Sequence, residues 1–277
     1  MSNVRRHNPG SVLLTILSLI FAFIFIFPLL WSLFVSLKAE GTPMRTVFDW
    51  FKPPYTLASY PTILLNSKVP IWFYNSILIA IIATIATILI SSLAAYPLAK
   101  MEFIGKKKIY FYFLLGLMVP TEATIVPLFI TVNGLNLIDS YPGMILPSIA
   151  GSMNLIIMVT FFKGIPHELI EVAQLDGARN ISIFTRIILP LSRTVLVTVS
   201  IFAFMGSWNN YLWPLLCAMG ERMFTLPVGL PTLSNTYSVD YVIPSTATMV
   251  ASIPAIIVFL IFEKQITQGI AMSGIKG

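Results

Sequence analysis

The polar stretch that decides the fold lies between two long apolar segments of the chain. Residues 163–190 read KGIPHELIEVAQLDGARNISIFTRIILP. Pro166 suits the first position of a helix, Glu168 is favoured in the first turn by the helix dipole, and Gly177 can adopt the left-handed conformation that ends a helix. These residues predict a short helix from Pro166 to about Asp176, roughly 16 Å long and too short to cross a bilayer.

A second helix is expected to follow the turn at Gly177. Asn180 or Ser182 can accept a hydrogen bond from the first free N–H groups of that helix. Pro190 has no backbone N–H, so we expect it to bend the helix where it enters the next apolar segment. Residues 163–190 are therefore predicted to form a compact helix-turn-helix.

The first of these helices has the features of a docking surface. Glu168 and Glu171 offer negative charge to a partner. A helix that lies on the lipid surface is the alternative, but such helices favour basic side chains on their polar face. The acidic side chains therefore favour a protein partner. The residues predicted to share one face are Leu169, Val172, Ala173 and Asp176.

Composition places the whole chain in a membrane. Of its 277 residues 57% are hydrophobic and 10% are charged, and the mean hydropathy is +0.87. A soluble domain carries about 25% charged residues. The single cysteine, Cys217, excludes a disulfide scaffold and is expected to be a small packing residue. The net charge of +6 is typical of cytoplasmic loops rich in Lys and Arg, so we expect a lipid bilayer and no nucleic acid as partner.

Six apolar stretches are long enough to span a bilayer. Only one of them contains an ionisable acid or base, Glu122 in the third. No linker or repeat divides the chain, so we expect residues 1–277 to form a single all-α transmembrane domain. The predicted spans are 11–37, 71–99, 109–132, 143–162, 194–219 and 242–262.

The basic residues sort to one side of these spans. With the N-terminus inside, 12 of the 17 Lys and Arg residues are cytoplasmic, so both termini are predicted to be cytoplasmic. The loop 38–70 is then external, and its five prolines make a continuous helix unlikely; we expect a structured cap. The 12 cytoplasmic residues are Arg5, Arg6, Lys100, Lys106, Lys107, Lys108, Lys163, Arg179, Arg186, Arg193, Lys264 and Lys276. The five external ones are Lys38, Arg45, Lys52, Lys68 and Arg222.

The sequence lacks the residue patterns of an enzyme. His7 and His167 belong to no His-x-x-x-His pair, and there is neither a Gly-x-Ser-x-Gly elbow nor a phosphate-binding Gly-x-x-x-x-Gly-Lys-Ser/Thr loop. We therefore predict no catalytic residue, no metal and no cofactor. Energy for uphill transport would come from an ion gradient or from a separate subunit.

The segment from Glu171 to Pro190 resembles the cytoplasmic signature of permease subunits of binding-protein-dependent ABC importers. That signature is Glu-Ala-Ala, three residues, Gly, nine residues, Ile, any residue, Leu-Pro. Val172 stands where the signature has its first Ala after Glu. The matching residues are Glu171, Ala173, Gly177, Ile187, Leu189 and Pro190.

Further motifs extend the resemblance over the chain and make it similar to the second permease of maltose, arabinose-oligosaccharide and multiple-sugar importers. The external stretch 224–230 and the terminal residues 274–277 favour this sugar type over other importers. The motifs, in order, are NS at 75–76, AYPLA at 95–99, PTE at 120–122, LIDSY at 137–141, WNNYLWPL at 208–215, FTLPVGL at 224–230 and GIKG at 274–277.

The resemblance implies a fold and a set of partners. The fold is that of a type I ABC importer permease, with six transmembrane helices and a cytoplasmic coupling helix, in the plasma (inner) membrane of a prokaryote. The partners are a second homologous permease, two copies of an ATP-binding subunit and an extracytoplasmic sugar-binding protein. Glu171 would contact the ATPase, Ala173 would permit close seating and Gly177 would permit the turn. The residues implied in coupling are Glu168, Glu171, Val172, Ala173, Asp176 and Gly177.

A sugar path is expected among the polar and aromatic residues of the spans. Aromatic faces suit sugar rings, and amides or carboxylates suit their hydroxyls. The same residues also serve as membrane-interface belts or interhelical bonds, and Glu122 beside Pro120 also suits a contact with backbone N–H groups. The candidate path residues are Glu122, Asn154, Trp208, Asn209, Asn210 and Tyr211, with Asn75 and Trp213 as further members.

Three other functions stay open on the sequence. The chain could be the permease of an ABC importer for another solute class, or an ion-coupled secondary transporter that uses Glu122 as its ion site. A structural scaffold would need no coupling loop. Di- or oligosaccharide import by an ATP-driven complex is the function that the motifs favour.

Overall fold

The computed structural model describes residues 9–44, 46–233 and 240–274. Every regular element in these ranges is helical, which confirms the prediction of an all-α membrane protein. The predictions made for the basic tail at Arg5 and Arg6, for His7 and Arg45 and for the tail residues 275–277 lie outside the described residues. Lys264 is described by its backbone alone.

The first of two compact units comprises Met1–Val69 and Leu230–Ser252. Its first helix is apolar along its length, and Phe25 is 80% exposed, as expected for side chains that face lipid. Near its end, Trp31 packs edge-on against Trp50 and Tyr241 at centroid distances of 5.4 and 6.2 Å. The elements of this unit are α1 (Pro9–Ser36), a 3-10 helix (Val47–Phe51), α2 (Ser59–Asn66), a 3-10 helix (Leu230–Leu233) and the first part of α14 (Val242–Gly274).

The segment after α1 is folded around a buried lysine. Lys38 is 2% exposed, donates to the carbonyl of Lys52 and lies over the ring of Tyr55, with its Nζ 4.6 Å from the centroid. Burial lowers the pKa of Lys38, and the charge of Asp49 partly opposes that shift. The segment contains only two short helices among its described residues, which confirms that loop 38–70 is not one continuous helix.

The second compact unit comprises Pro70–Gly229 and Ile253–Gly277. It includes 3-10 turns at Thr121–Thr124, Leu146–Ser148 and Glu221–Met223 and a π-helical segment at Phe184–Ile188. Its helices are α3 (Val69–Lys100), α4 (Lys106–Gly116), α5 (Ile125–Gly134), α6 (Tyr141–Ile145), α7 (Ser152–Lys163), α8 (Glu168–Leu175), α9 (Asn180–Ile183), α10 (Leu189–Leu191), α11 (Arg193–Trp208), α12 (Leu212–Cys217), α13 (Leu226–Gly229) and the end of α14.

Three helices are each long and apolar enough to cross a membrane, in α1, α3 and α14. Three bent pairs pass the same test together: Lys106–Gly116 with Thr121–Gly134 at 98°, Tyr141–Ser148 with Ser152–Lys163 at 45°, and Asn180–Leu191 with Arg193–Trp208 at 79°. The described residues thus provide six spans if each bent pair counts as one.

Three predicted spans are wrong as continuous helices. The span 109–132 breaks at 117–120, the span 143–162 breaks at 149–151, and the span 194–219 breaks at 209–211. Pro120 explains the first break, because proline excludes the helical conformation from the residue before it. Such breaks persist in lipid only where neighbouring protein satisfies the freed backbone groups. The last predicted span, 242–262, continues to Gly274 beyond a kink at Phe262.

Two apolar clusters organise the second unit. We call the first the loop-side cluster: Ala95, Tyr96, Leu98, Leu155, Met158, Val159, Phe162, Ile165, Ile170, Ala173, Ile183, Phe184, Ile188, Val195 and Val199. The second is the α12 cluster: Ile79, Ala83, Val132, Met144, Ile145, Trp213, Cys217 and Ala218. Cys217 is 0% exposed there, which confirms its role as a packing residue.

Candidate functional site

The short helix predicted in the polar loop is α8, Glu168–Leu175. It begins two residues later than expected, because Pro166 precedes it and His167 is its N-cap residue. Gly177 follows with φ +78°, its N–H donates to the carbonyl of Gln174 at 3.0 Å, and the N–H of Ala178 donates to the carbonyl of Ala173 at 2.9 Å. This pair of bonds is a Schellman motif, so the prediction that Gly177 ends the helix is confirmed.

The two faces of α8 have different environments. Ile170 is 2% exposed and Ala173 is 9% exposed, and both belong to the loop-side cluster. The apolar side chains of Leu169, Val172 and Leu175 are exposed instead. The predicted docking face is therefore split: Ala173 lies on the inner face, so its expected place on the same face as Leu169, Val172 and Asp176 is corrected.

The inner face of α8 joins the loop to the long helices of the unit. The loop-side cluster contains residues from the end of α3, from α7 and from the start of α11 as well as Ile170 and Ala173. Within it the rings of Tyr96 on α3 and Phe184 pack at a centroid distance of 5.4 Å.

Lys100 anchors the segment that leads into α8. Its ammonium group donates to the carbonyl of Ile165 and, at 3.4 Å, to that of Lys163. These carbonyls follow the end of α7, where unpaired acceptors and the helix dipole favour a cation. Sequence reasoning assigned Lys100 only to the cytoplasmic charge bias; the signal that could have found it is its place as the last residue of a long apolar helix.

The acidic side chains of α8 remain available to a partner. Glu168, Glu171 and Asp176 are exposed, and the sole ion pair that they form with the described residues joins Glu171 to Nε2 of His167 at 4.0 Å. Exposed pairs of this kind contribute little to stability. The outer face of α8 thus combines exposed apolar groups with carboxylates.

The second half of the loop departs from the prediction in one detail. α9 begins at Asn180, its N-cap residue is Arg179, and no side chain caps it, so neither Asn180 nor Ser182 has the predicted capping role. In the π-helical segment the N–H of Leu189 donates to the carbonyl of Phe184. The predicted bend is present, at Ser192, two residues after Pro190.

Three of the six candidate path residues lie in a helix break, and the other three flank one. Glu122 is exposed in the 3-10 turn just after the first break, and within the described residues its carboxylate makes no hydrogen bond or ion pair. The expected contact of Glu122 with backbone N–H groups is therefore absent there. Asn154 is half-buried in the first turn of α7, immediately after the second break.

The third break carries the remaining candidates. Asn209 and Tyr211 are exposed, whereas Oδ1 of Asn210 accepts from the N–H of Trp213 at 3.4 Å at the start of α12. Trp208 is 5% exposed and stacks on Phe204 at 5.9 Å. Its side chain packs in the protein interior, and its assignment to a sugar path stays a prediction.

Asn75 and Trp213 are also internal. The amide nitrogen of Asn75 donates to the carbonyls of Arg222 and Phe224 at 2.8 and 2.9 Å, and its oxygen accepts from the hydroxyl of Tyr141 at 2.7 Å. The indole N–H of Trp213 donates to the carbonyl of Gly143 at 3.0 Å. These hydrogen bonds occupy the polar groups of Asn75 and Trp213 that the sequence predicts as sugar contacts.

The hydrogen bonds of Asn75 belong to a larger clamp on residues 221–226. Trp72 donates from Nε1 to the carbonyl of Glu221 at 2.8 Å, and the hydroxyl of Ser76 accepts from the N–H of Leu226 at 2.8 Å. The motifs at 75–76, 137–141 and 224–230 thus converge in one place. Their separation of up to about 150 positions along the chain hid this contact from sequence reasoning.

Residues 87–272 match the family model for the inner membrane component of binding-protein-dependent transport systems. The chain belongs to this family. It is thus a multi-pass permease of a prokaryotic inner membrane, with the family signature on α8 and the residues that follow it.

The permease is similar over nearly its whole length to known transport proteins. It is 33% identical to the arabinooligosaccharides transport system permease of Bacillus subtilis, covering 98% of this chain and 99% of that protein. It is 32% identical to the trehalose/maltose transport system permease of Thermococcus litoralis, covering 99% and 100%. A crystal structure of a bacterial ABC transporter involved in alginate import contains a chain with the same fold, with a TM-score of 0.84 at 20% identity and coverage of 95% and 98%.

No cluster of three or more His, Cys, Asp or Glu side chains that could hold a metal ion occurs in the described part of the permease.

Proposed function

We propose that this permease forms one half of the translocation pathway of an ATP-driven importer and that α8 is its coupling helix. The observation that carries the proposal is the contrast between the two faces of α8. Ile170 and Ala173 are packed into the loop-side cluster, whereas Leu169, Val172 and Leu175 are exposed beside carboxylates. An exposed apolar stripe flanked by charge suits a protein partner better than an anionic lipid surface.

The energy source in this proposal is a separate subunit. Two ATP-binding subunits would dock against α8 and its counterpart in a second homologous permease, and an extracytoplasmic binding protein would deliver the solute. The family description, which makes transport dependent on a binding protein, supports this assembly. ATP hydrolysis would belong to the partner, so the permease itself has no catalytic residue and no cofactor.

Movement would pass from α8 into the spans through the loop-side cluster. Closure of the paired ATP-binding subunits would displace α8, and the ends of α3, α7 and α11 would follow because they share its packed core. The chain would act as a single transmembrane domain that rocks between inward-open and outward-open states. Gly177 supports this coupling by holding the end of α8 in a left-handed turn.

The proposed solute is a di- or oligosaccharide. The relatives named for arabinooligosaccharides and for trehalose and maltose support this class. The proposed path residues are Glu122, Asn154, Asn209, Asn210 and Tyr211, because unwound segments of broken helices expose backbone polar groups at the depth where transporters bind their solutes. The partner permease would contribute to the same path.

A substitution on the outer face of α8 tests the coupling proposal. Val172→Glu places a charge in an apolar contact. It should therefore lower the amount of ATP-binding subunit that copurifies with a tagged permease, and it should lower the rate of ATP hydrolysis that binding protein and sugar stimulate. Leu57→Glu is the matched control, since Leu57 is also exposed and lies in the predicted external loop. Equal behaviour of the two variants would exclude α8 as the docking helix.

Uptake measurements separate this function from its rivals. Labelled maltose, trehalose and arabino-oligosaccharides should compete for uptake that requires the ATP-binding subunit, whereas amino acids should not. Uptake that persists without that subunit and collapses with an ionophore would instead support an ion-coupled transporter. ATP-dependent uptake of a non-sugar solute alone would leave the coupling proposal intact and contradict the sugar assignment.

A further inference from the structure

A cavity of about 480 Å³ lies beside the start of α4 in the second unit. Its lining combines four lysines with one glutamate and a few apolar groups, so its formal charge is strongly positive. The lining residues are Leu98, Glu102, Phe103, Gly105, Lys106, Lys107, Lys108, Tyr110 and Lys163.

Three of these lysines occupy an unfavourable place on their helix. Lys106, Lys107 and Lys108 form the first turn of α4, which contains no acidic residue. The N-terminal end of a helix carries a partial positive charge, so cations there repel the dipole and one another. An anion bound at this end would remove that repulsion.

The same turn lacks a capping side chain. The N-cap residue is Gly105, with φ +88° and no side-chain hydrogen bond to the helix. The backbone N–H groups of Lys107 and Lys108, which an Asp or Ser at the N-cap would normally satisfy, are left for another acceptor. Phosphate oxygens are suitable acceptors at such a position.

Two of the four lysines are free to bind a ligand. Lys106 donates to the carbonyl of Met101 at 2.8 Å and to Glu102 at 2.9 Å, and Nζ of Lys163 lies 4.4 Å from the ring centroid of Tyr110. Lys107 and Lys108 are exposed and form no hydrogen bond or ion pair within the described residues. The hydrogen bond from Lys106 lowers the pKa of Glu102, which therefore stays ionised and offsets one positive charge.

Exposed apolar side chains lie next to the lining residues along the chain. Ile104 is fully exposed next to Gly105, and Phe111 and Tyr112 on α4 are 59% and 72% exposed. A free phosphate ion gains nothing from contact with apolar side chains, whereas a lipid presents an anionic headgroup and acyl chains together. We propose that this cavity binds the phosphate headgroup of an anionic phospholipid, with Lys107 and Lys108 as its principal ligands and with the acyl chains against Ile104 and the aromatic side chains.

The test uses the permease purified in detergent together with its ATP-binding subunits. Native mass spectrometry measures the binding of dioleoylphosphatidylglycerol and, for comparison, of dioleoylphosphatidylcholine. Lys107→Gln/Lys108→Gln should weaken binding of the anionic lipid roughly thirtyfold, because each of the two lysines near the surface contributes on the order of 1 kcal/mol and 1.4 kcal/mol corresponds to about tenfold. Lys163→Gln, on a different helix, should weaken it less.

The control variant Lys52→Gln/Lys68→Gln removes the same charge from the loop 38–70 and should change the affinity by less than about twofold. An equal loss in the control, or the same affinity for both lipids, would overturn the proposal. Competition by inorganic phosphate at concentrations equal to those of the lipid would assign the site to a free anion instead. Lipid binding that appears only after the ATP-binding subunits are removed would overturn the proposal and assign the cavity to a subunit interface.

Discussion

Gly177 shows at the scale of one residue how a backbone angle supports coupling. No atom lies within 4 Å of a Cβ built at this position, so space does not restrict it. Its φ of +78° does, because a left-handed conformation costs a residue with a side chain about 1 to 2 kcal/mol. Gly177→Val should therefore loosen the end of α8 and reduce both sugar uptake and sugar-stimulated ATP hydrolysis, with the permease still in the membrane.

Gly206 provides the matched control for this prediction. It lies inside α11, and a Cβ there would also meet no atom within 4 Å. Gly206→Ala should leave uptake unchanged and raise helix stability by up to about 1 kcal/mol. Normal uptake and normal stimulated hydrolysis in Gly177→Val would contradict the coupling role of the turn.

Asn75 is the residue on which the clamp at 221–226 most depends. It is 1% exposed and makes three hydrogen bonds. Asn75→Leu would remove the partner of two carbonyls and one hydroxyl, all partly buried, at about 0.5 to 1.5 kcal/mol for each lost hydrogen bond. We expect a clearly lower thermal unfolding midpoint for the purified protein, measured by intrinsic fluorescence. Tyr141→Phe removes only one of these bonds and should cost about 1 kcal/mol; an equal loss in both variants would show that the clamp is not centred on Asn75.

At the scale of the element, α8 should separate stability from partner binding. Ile170→Ala removes a side chain that is 2% exposed and should destabilise the permease by about 2 to 5 kcal/mol through the cavity it leaves. Leu175→Ala affects a side chain that is 88% exposed and should leave the unfolding midpoint unchanged while it weakens copurification of the ATP-binding subunit. Destabilisation by Leu175→Ala in the isolated permease would mean that both faces of α8 support the fold.

The existence of these elements follows from the sequence more reliably than their continuity. The length of the apolar stretches predicts the helices of the spans, and Gly177 predicts the end of α8. Both signals are local in the sequence. The breaks at 117–120 and 149–151 were hidden because apolar composition continues through them, and the break at 209–211 was hidden because its Asn-Asn-Tyr sequence carries no charge within a long apolar stretch. The inward position of Ala173 and the burial of Trp208 depend on tertiary packing, which no single segment of sequence contains.

At the scale of the molecule, the placement of charge predicts a topology that can be measured. With 12 of 17 basic residues on one side, loop 38–70 should be external and α8 should be cytoplasmic. The only cysteine, Cys217, is 0% exposed. Cys217→Ala therefore gives a cysteine-free protein, with little disturbance of the fold, in which single cysteines can be labelled. In intact spheroplasts a membrane-impermeant maleimide should label Leu57→Cys and should label Ile181→Cys, in the loop 163–190, only after the membrane is opened. Both side chains are exposed, so access to the reagent decides the result. The reverse pattern would place α8 outside the cell, where ATP-binding subunits cannot reach it, and would refute the coupling mechanism together with the topology.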